Sequence, residues 1–191
     1  MHPGITSKEV ILQVCRKIAA EQGLPALNMR AVASECGIAL GTLYNYYADK
    51  DALLIATVES IWKDIFHRES KWEPGTPFPD SVAGLFQCIQ ESSAQYPNFL
   101  TSHSLAIAKS KRGEAKDAME QCFAHMKSGL LEVLHADPRV DSAVFSGALT
   151  EAHFADFVMD SLLLLLVKEN PNCDALVALV RRVPSSTASP A

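Results

Sequence analysis

Residues 27–54 read LNMRAVASECGIALGTLYNYYADKDALL, and this stretch decides the fold. Two short helix patterns are split by Gly37, and hydroxyl, amide and phenol groups crowd onto the second. Asn28 is a good N-cap for a helix over residues 29–36, and glycine at 37 suits the left-handed stop that ends one. A second short helix is expected over residues 40–47. Val32, Ala33, Cys36, Ile38 and Leu43 form an apolar inner side, with Ala33 small enough to let the two helices cross closely. Thr42, Asn45, Tyr46 and Asp49 lie together on the opposite side of the second helix. This is how a helix-turn-helix looks when it must present one helix to a DNA groove. Gly41 lacks a side chain where the backbone can approach DNA, and Lys50 adds a cation at the start of the next helix.

On either side of this stretch the chain also reads as helix. Val10, Ile11, Val14, Cys15, Ile18 and Ala19 recur at helical spacing, with Thr6 or Ser7 as a cap and Gly23 as a stop. Asp49 is placed to cap a long helix from Lys50 to about Lys71. Residues 73–80, EPGTPFPD, read as a loop. Later helices are expected at about 81–95, 98–108, 114–135, 142–168 and 173–183. The closing PSSTASPA, residues 184–191, reads as a disordered tail.

Composition bounds the function. The chain has 191 residues, is 48% hydrophobic and carries a net charge of −5. Residues 1–50 hold five Lys/Arg against four Asp/Glu, a net +1, so the remainder carries −6. The helix-turn-helix end is the less acidic end without being a basic patch, and DNA affinity must come from few, well-placed contacts. Five scattered cysteines without a CxxC pair fit a reducing cytosol. With no signal-peptide pattern at the start and no apolar run beyond residues 162–167, a cytoplasmic protein without membrane contact is expected. No GxSxG, P-loop, GxGxxG or HExxH occurs, so neither an enzyme nor a cofactor is expected. Cys122 and His125 have a metal-ligand spacing, but no second pair completes a site and no metal is assigned.

The helix ILQVCRKIAAEQG (residues 11–23) and the stretch NMRAVASECGIALGTLYNYYADKDALL (28–54) together resemble the N-terminal domain of TetR-family bacterial regulators. The family pattern runs roughly ILxAAxxLFxxxG, then TxxxIAxxxGVSxGTLYxHFxxKxxLL, and the spacing here matches without gaps within each segment. Three departures stand out. Ala39-Leu40 replaces a Ser-Lys/Arg-type pair, Tyr46-Tyr47 replaces His-Phe, and only Lys8 precedes the first helix as a cation.

The resemblance implies an all-α protein: an N-terminal three-helix DNA-binding domain (1–48) and a larger helical effector-binding and dimerisation domain (49–183). It implies a transcriptional regulator, commonly a ligand-responsive repressor, that binds a palindromic double-stranded operator as a homodimer. By residue match, Asn28 and Arg30 approach phosphates and Lys50 holds one. Thr42, Tyr44, Asn45 and Tyr46 contact backbone or bases. Tyr44 and Tyr47 also admit a second reading, as packing against neighbouring helices.

The family's second domain takes a small effector among its central helices and pairs through its last two. Trp62, Phe66, Phe86 and Phe99 are candidates to line a pocket for an apolar or amphipathic molecule. His103, Met119, Phe123 and Met126 join them, though helical spacing fits ordinary core equally well. Phe154, Phe157, Val158, Ser161, Leu162 and Leu165 form a stripe suited to dimerisation, with Leu176, Leu179 and Val180 on the last helix. The alternative is a small-molecule binding protein that keeps a degenerate, unused helix-turn-helix.

Overall fold

The computed structural model describes residues 7–67, 75–101 and 113–182, without the side chains of 66–67 and 113–122. Thr6, His103, the side chain of Met119 and the tail at 184–191 therefore lie outside the described residues. The described residues are helical and include no β-strand. The chain divides into two compact units: Met1–His67 with Ser92–Cys122, and Arg68–Glu91 with Phe123–Ala191.

In the first unit, α1 spans Lys8–Gln22 and is capped by Ser7, whose hydroxyl accepts from Val10 N at 3.3 Å. Ile11, Cys15, Ile18 and Ala19 turn inward. Gly23 ends the helix with φ 80 and ψ 160, a backbone conformation that is essentially reserved for glycine. Pro25 then does more than break the chain: Leu24–Ala26 form a 3₁₀ turn that buries Leu24. Helix α2 runs Met29–Glu35. Asn28 Oδ1 accepts from Ala31 N at 2.9 Å to cap it. Gly37, at φ 66, closes its far end: Gly37 N donates to Ser34 O and Ile38 N to Ala33 O, both at 3.0 Å.

Helix α3 covers only Leu40–Tyr44, shorter than the expected 40–47. Asn45 N bonds to Thr42 O and Tyr46 N to Leu43 O, so its end tightens into i→i+3 turns. Helix α4, Lys50–His67, is capped by Asp49, whose Oδ1 accepts from Ala52 N at 2.9 Å. α1 packs on α4 through buried Cys15 and Thr57 and through a hydrogen bond from Arg16 to Ser60. Burial pushes the Cys15 thiol up to about 11, so it stays protonated and unreactive at neutral pH. Trp62 of α4 meets Phe99 edge to face, ring centroids 5.2 Å apart.

In the second unit, α5 spans Phe78–Ser93, starting three residues before the expected position 81. Its start is stabilised from a distance. Asp137, which comes directly after α6 (Gly113–Ala136), accepts from Phe78 N at 2.6 Å and from Arg139 N and Nε at 3.1 and 2.7 Å. Pro79 is tolerated there because the first helical turn has no intrahelical acceptor for its missing N–H. Helix α7 begins at Glu151, not near 142. Ser142–Val144 make one 3₁₀ turn, Gly147 has φ 60, and Thr150 Oγ1 caps α7 by accepting from His153 N at 3.1 Å. α7 ends at Val167, and α8 covers Asp174–Arg182. Phe154 packs its ring against Phe78 and Phe145.

Two substitutions probe these contacts. Burial alone would raise the Asp137 pKa, but bonds from Phe78 and Arg139 and the Arg139 charge outweigh it and hold the carboxyl below its usual value. A folded pKa below the unfolded one adds stability at neutral pH that is lost as pH falls through the folded value. Asp137→Asn should lower stability by about 2 kcal/mol at pH 7 and flatten the acid decline seen in thermal melts of the wild type. Tyr47 buries its hydroxyl without a hydrogen-bond partner among the described residues. Tyr47→Phe should therefore gain about 1 kcal/mol in the same melts; a loss of stability would show that the hydroxyl is satisfied.

Candidate nucleic-acid interface

Helix α3 is too short to be stable by itself, and its seat fixes what it shows to solvent. Leu43 is fully buried and Tyr47 nearly so. Burial raises the Tyr47 phenol to about 12, with smaller contributions from the nearby Cys15 and Glu9 of α1 and Glu59 of α4. Tyr47 is thus a core residue, as the second reading of it allowed. At about 100° per residue, Gly41 and Asn45 then point directly away from Leu43, with Thr42 and Tyr44 on their flanks.

Burial agrees with that geometry. Gly41, Tyr44 and Asn45 are exposed, and Thr42 and Tyr46 are half-buried. Tyr44, at 49% exposure, is not a packing residue. A Cβ placed on Gly41 would meet nothing within 4 Å, so nothing inside the chain requires glycine there. Arg30 on the first turn of α2 and Lys50 on the first turn of α4 are both exposed. Asn28 is engaged at both ends of its carboxamide: Oδ1 caps α2, and Nδ2 donates to Ala26 O at 3.1 Å. Any phosphate contact from Asn28 must use its remaining amide hydrogen. Ala39, the N-cap of α3, offers no side-chain hydrogen bond, so the departure at 39–40 removes a cap as well as a polar group.

The other candidate residues are spread over both units. Trp62 and Phe99 are buried in the first unit, where Tyr96 Oη reaches Asp64 Oδ2 at 3.4 Å beside them. Phe86 and Met126 are buried in the second unit, and Phe123 is half-buried there. The side chains of Phe66 and Met119, and the whole of His103, lie outside the described residues. His125 is exposed, and the side chain of Cys122 is likewise outside the described set. No group of three or more His, Cys, Asp or Glu residues gathers among the described residues.

The stripe on α7 splits in two. Phe154, Val158 and Leu162 are buried within the chain's own core, as is Leu176 of α8, so these four are not surface residues of this chain. Ser161 and Leu165 are half-buried. The members that face outward are Phe157 (51% exposed) and Leu179 (45%), joined by Leu164 (53%), which lies outside the stripe expected from periodicity. Helical spacing shows the stripe's period but not which side the rest of the fold covers.

Comparison with known proteins agrees with this geometry. Residues 11–57 match the family profile described as bacterial regulatory proteins, tetR family. The HTH-type transcriptional regulator YhgD of Bacillus subtilis is 23% identical over 179 residues, covering 89% of each chain. The structure of BioQ with its natural double-stranded DNA operator superposes with a TM-score of 0.64 at 17% identity, over 94% of this chain and 98% of that one. That of FadR from Bacillus subtilis in complex with stearoyl-CoA gives 0.60 at 16% identity, over 93% and 95%. At such identities the two structures speak to the fold, and the family profile falls on the helices that build the exposed face of α3. No described helix is long and apolar enough to cross a membrane. Residues 11–57 are thus similar to the helix-turn-helix domain of the tetR family of bacterial regulatory proteins, and the chain shares the fold of BioQ and FadR over most of its length.

Proposed function

We propose that this chain is a cytoplasmic, ligand-responsive repressor that binds a palindromic operator as a homodimer. The observation that carries the reading is the outward face of α3: Gly41, Thr42, Tyr44 and Asn45 surround a helix whose opposite side is locked in the core. Hydroxyl, phenol and amide groups bond to phosphates and base edges, and Lys50 and Arg30 add charge at the margins. In this reading residues 1–48, with Lys50 at the start of α4, contact DNA, and the rest of residues 49–183 takes the effector and the second subunit. The operator-bound BioQ and the stearoyl-CoA-bound FadR support both halves of it.

Coupling would run along α4. Its first turn carries Lys50, and Trp62 lies twelve residues on, about 18 Å along the helix. An apolar effector that repacks the aromatic cluster of Trp62, Phe99 and Tyr96 would displace α4 and with it the seat of α3. It shifts the equilibrium only by as much as it binds the two arrangements differently. The partner copy would cover Phe157, Leu164 and Leu179.

Binding of a duplex from upstream of the gene, titrated with salt, tests the DNA reading. Affinity should fall steeply as salt rises, and Lys50→Ala should reduce the slope of log K against log salt by about one. Gly41→Ala should leave the melting temperature unchanged or raise it, because alanine is worth up to ~1 kcal/mol more than glycine in a helix. The same variant should weaken the duplex complex. A salt-insensitive affinity would return the chain to a ligand-binding protein with an unused helix-turn-helix, and Gly41→Ala and Lys50→Ala both binding as wild type would sink the DNA-contact roles of these two residues.

Phe157→Glu combined with Leu164→Glu tests the subunit contact. Sedimentation should change from dimer to monomer while circular dichroism keeps the helical signal. A wild type that sediments as a monomer at micromolar concentration would refute the dimer.

A further inference from the structure

We infer that Asn45 is the residue that reads an adenine base in the bound DNA, an assignment that rests on the DNA-binding reading above. Position 41 of α3 and its C-cap, position 45, lie opposite buried Leu43. Position 41 carries no side chain and has open space where a Cβ would stand. Position 45 carries an exposed carboxamide. Asn45 keeps helical backbone angles, φ −70 and ψ −22, so its side chain follows the helical direction and leans back toward the N-terminal turn, over Gly41. The pair therefore makes a bare step with an amide above it, on the side of α3 and its C-cap that lies opposite buried Leu43.

The chemistry then selects the base. The Asn45 N–H is already bonded to Thr42 O at 3.2 Å, and among the described residues its carboxamide has no bond within the chain. A carboxamide offers one acceptor and one donor side by side. In the major groove adenine alone presents the complementary pair, the N7 acceptor beside the N6 donor. Guanine presents two acceptors there, cytosine a donor, and thymine an acceptor and a methyl group. The flanking groups cannot make that choice. The Thr42 hydroxyl and the Tyr44 phenol each bond to donors and acceptors alike through one oxygen, so neither demands an acceptor and a donor side by side. Asn28, the other asparagine in the head, is committed to capping α2.

The test is selection from a pool of randomised duplex DNA with the full-length chain, in parallel with Asn45→Ala. The wild type should enrich a site with an A·T pair that Asn45→Ala no longer requires. Discrimination at that pair should drop roughly ten- to a hundredfold, and preferences elsewhere in the site should persist. Replacing that adenine with 7-deazaadenine, which lacks the N7 acceptor, should weaken wild-type binding and leave the Asn45→Ala complex unchanged. Thermal melts of both proteins confirm that the variant is folded. A variant that keeps every wild-type preference, or that loses affinity equally for all sequences, assigns Asn45 to the phosphate backbone and overturns the adenine reading while DNA binding stands. A wild type that binds no duplex overturns the DNA reading itself, and this assignment with it.

Discussion

The seating of α3 by Leu43 and Tyr47 is the constraint on which the outward face of that helix depends. Five residues make little more than one helical turn, and an isolated turn costs more in backbone entropy than its hydrogen bonds return. α3 therefore exists because the glycine turn at Gly37 delivers it to the right place and because two side chains anchor it from below. Tyr47 is only 7% exposed, and ionisable groups of α1 and α4 lie close enough to raise its phenol slightly further than burial does. Once Leu43 and Tyr47 point inward, the helical repeat leaves Gly41 and Asn45 no choice but to point out.

That arrangement explains how a head with so little positive charge can still hold a polyanion. Net charge governs long-range attraction and nonspecific binding, whereas position and hydrogen-bond pattern govern specific binding. The head carries Arg30 and Lys50 at its margins and uncharged polar groups at its centre. Ala39 adds to the economy: with neither a cap for α3 nor a charge, it leaves helix stability and phosphate attraction both lower than a serine-type neighbour would. In the proposed dimer two heads would act together on one duplex, and the affinity of a single head would understate what the pair achieves.

What was legible in the sequence was local. Ser7, Asn28, Asp49 and Thr150 cap their helices through residues three positions away, and each lies within a window that sequence patterns report. Thr150 is nevertheless masked in the string, because the apolar period of α7 continues backwards through Phe145 and Val144. Asp137 is not legible at all. Its partner Phe78 is 59 residues away, and nothing in the string PFPD says that a distant carboxylate will complete a helix start there. The outward face of α3 is legible because its inner face is set by a turn of known geometry. The α7 stripe is legible only as a period, since burial of Phe154, Val158 and Leu162 depends on what the rest of the fold brings to them.

The same distinction bears on the outward face of α7. Six consecutive apolar residues, 162–167, wind through more than one and a half turns and therefore cover every side of the helix. Leu162 and Leu166 satisfy the inner side, which leaves Leu164, with Phe157 two turns earlier on the same face, half exposed. A helix that is hydrophobic all round is normally covered all round. Single exposed leucines occur on most protein surfaces and require no explanation. Here a phenylalanine and a leucine share one face seven residues apart, and Leu179 is exposed on α8, which packs beside α7. Polar residues at 157 and 164 would leave the core of this unit intact, so the apolar character of that face is not demanded by folding of the single chain. In the proposed dimer a second copy of the same helix pair would cover that face, the self-complementary solution for two helices with matching exposed ridges.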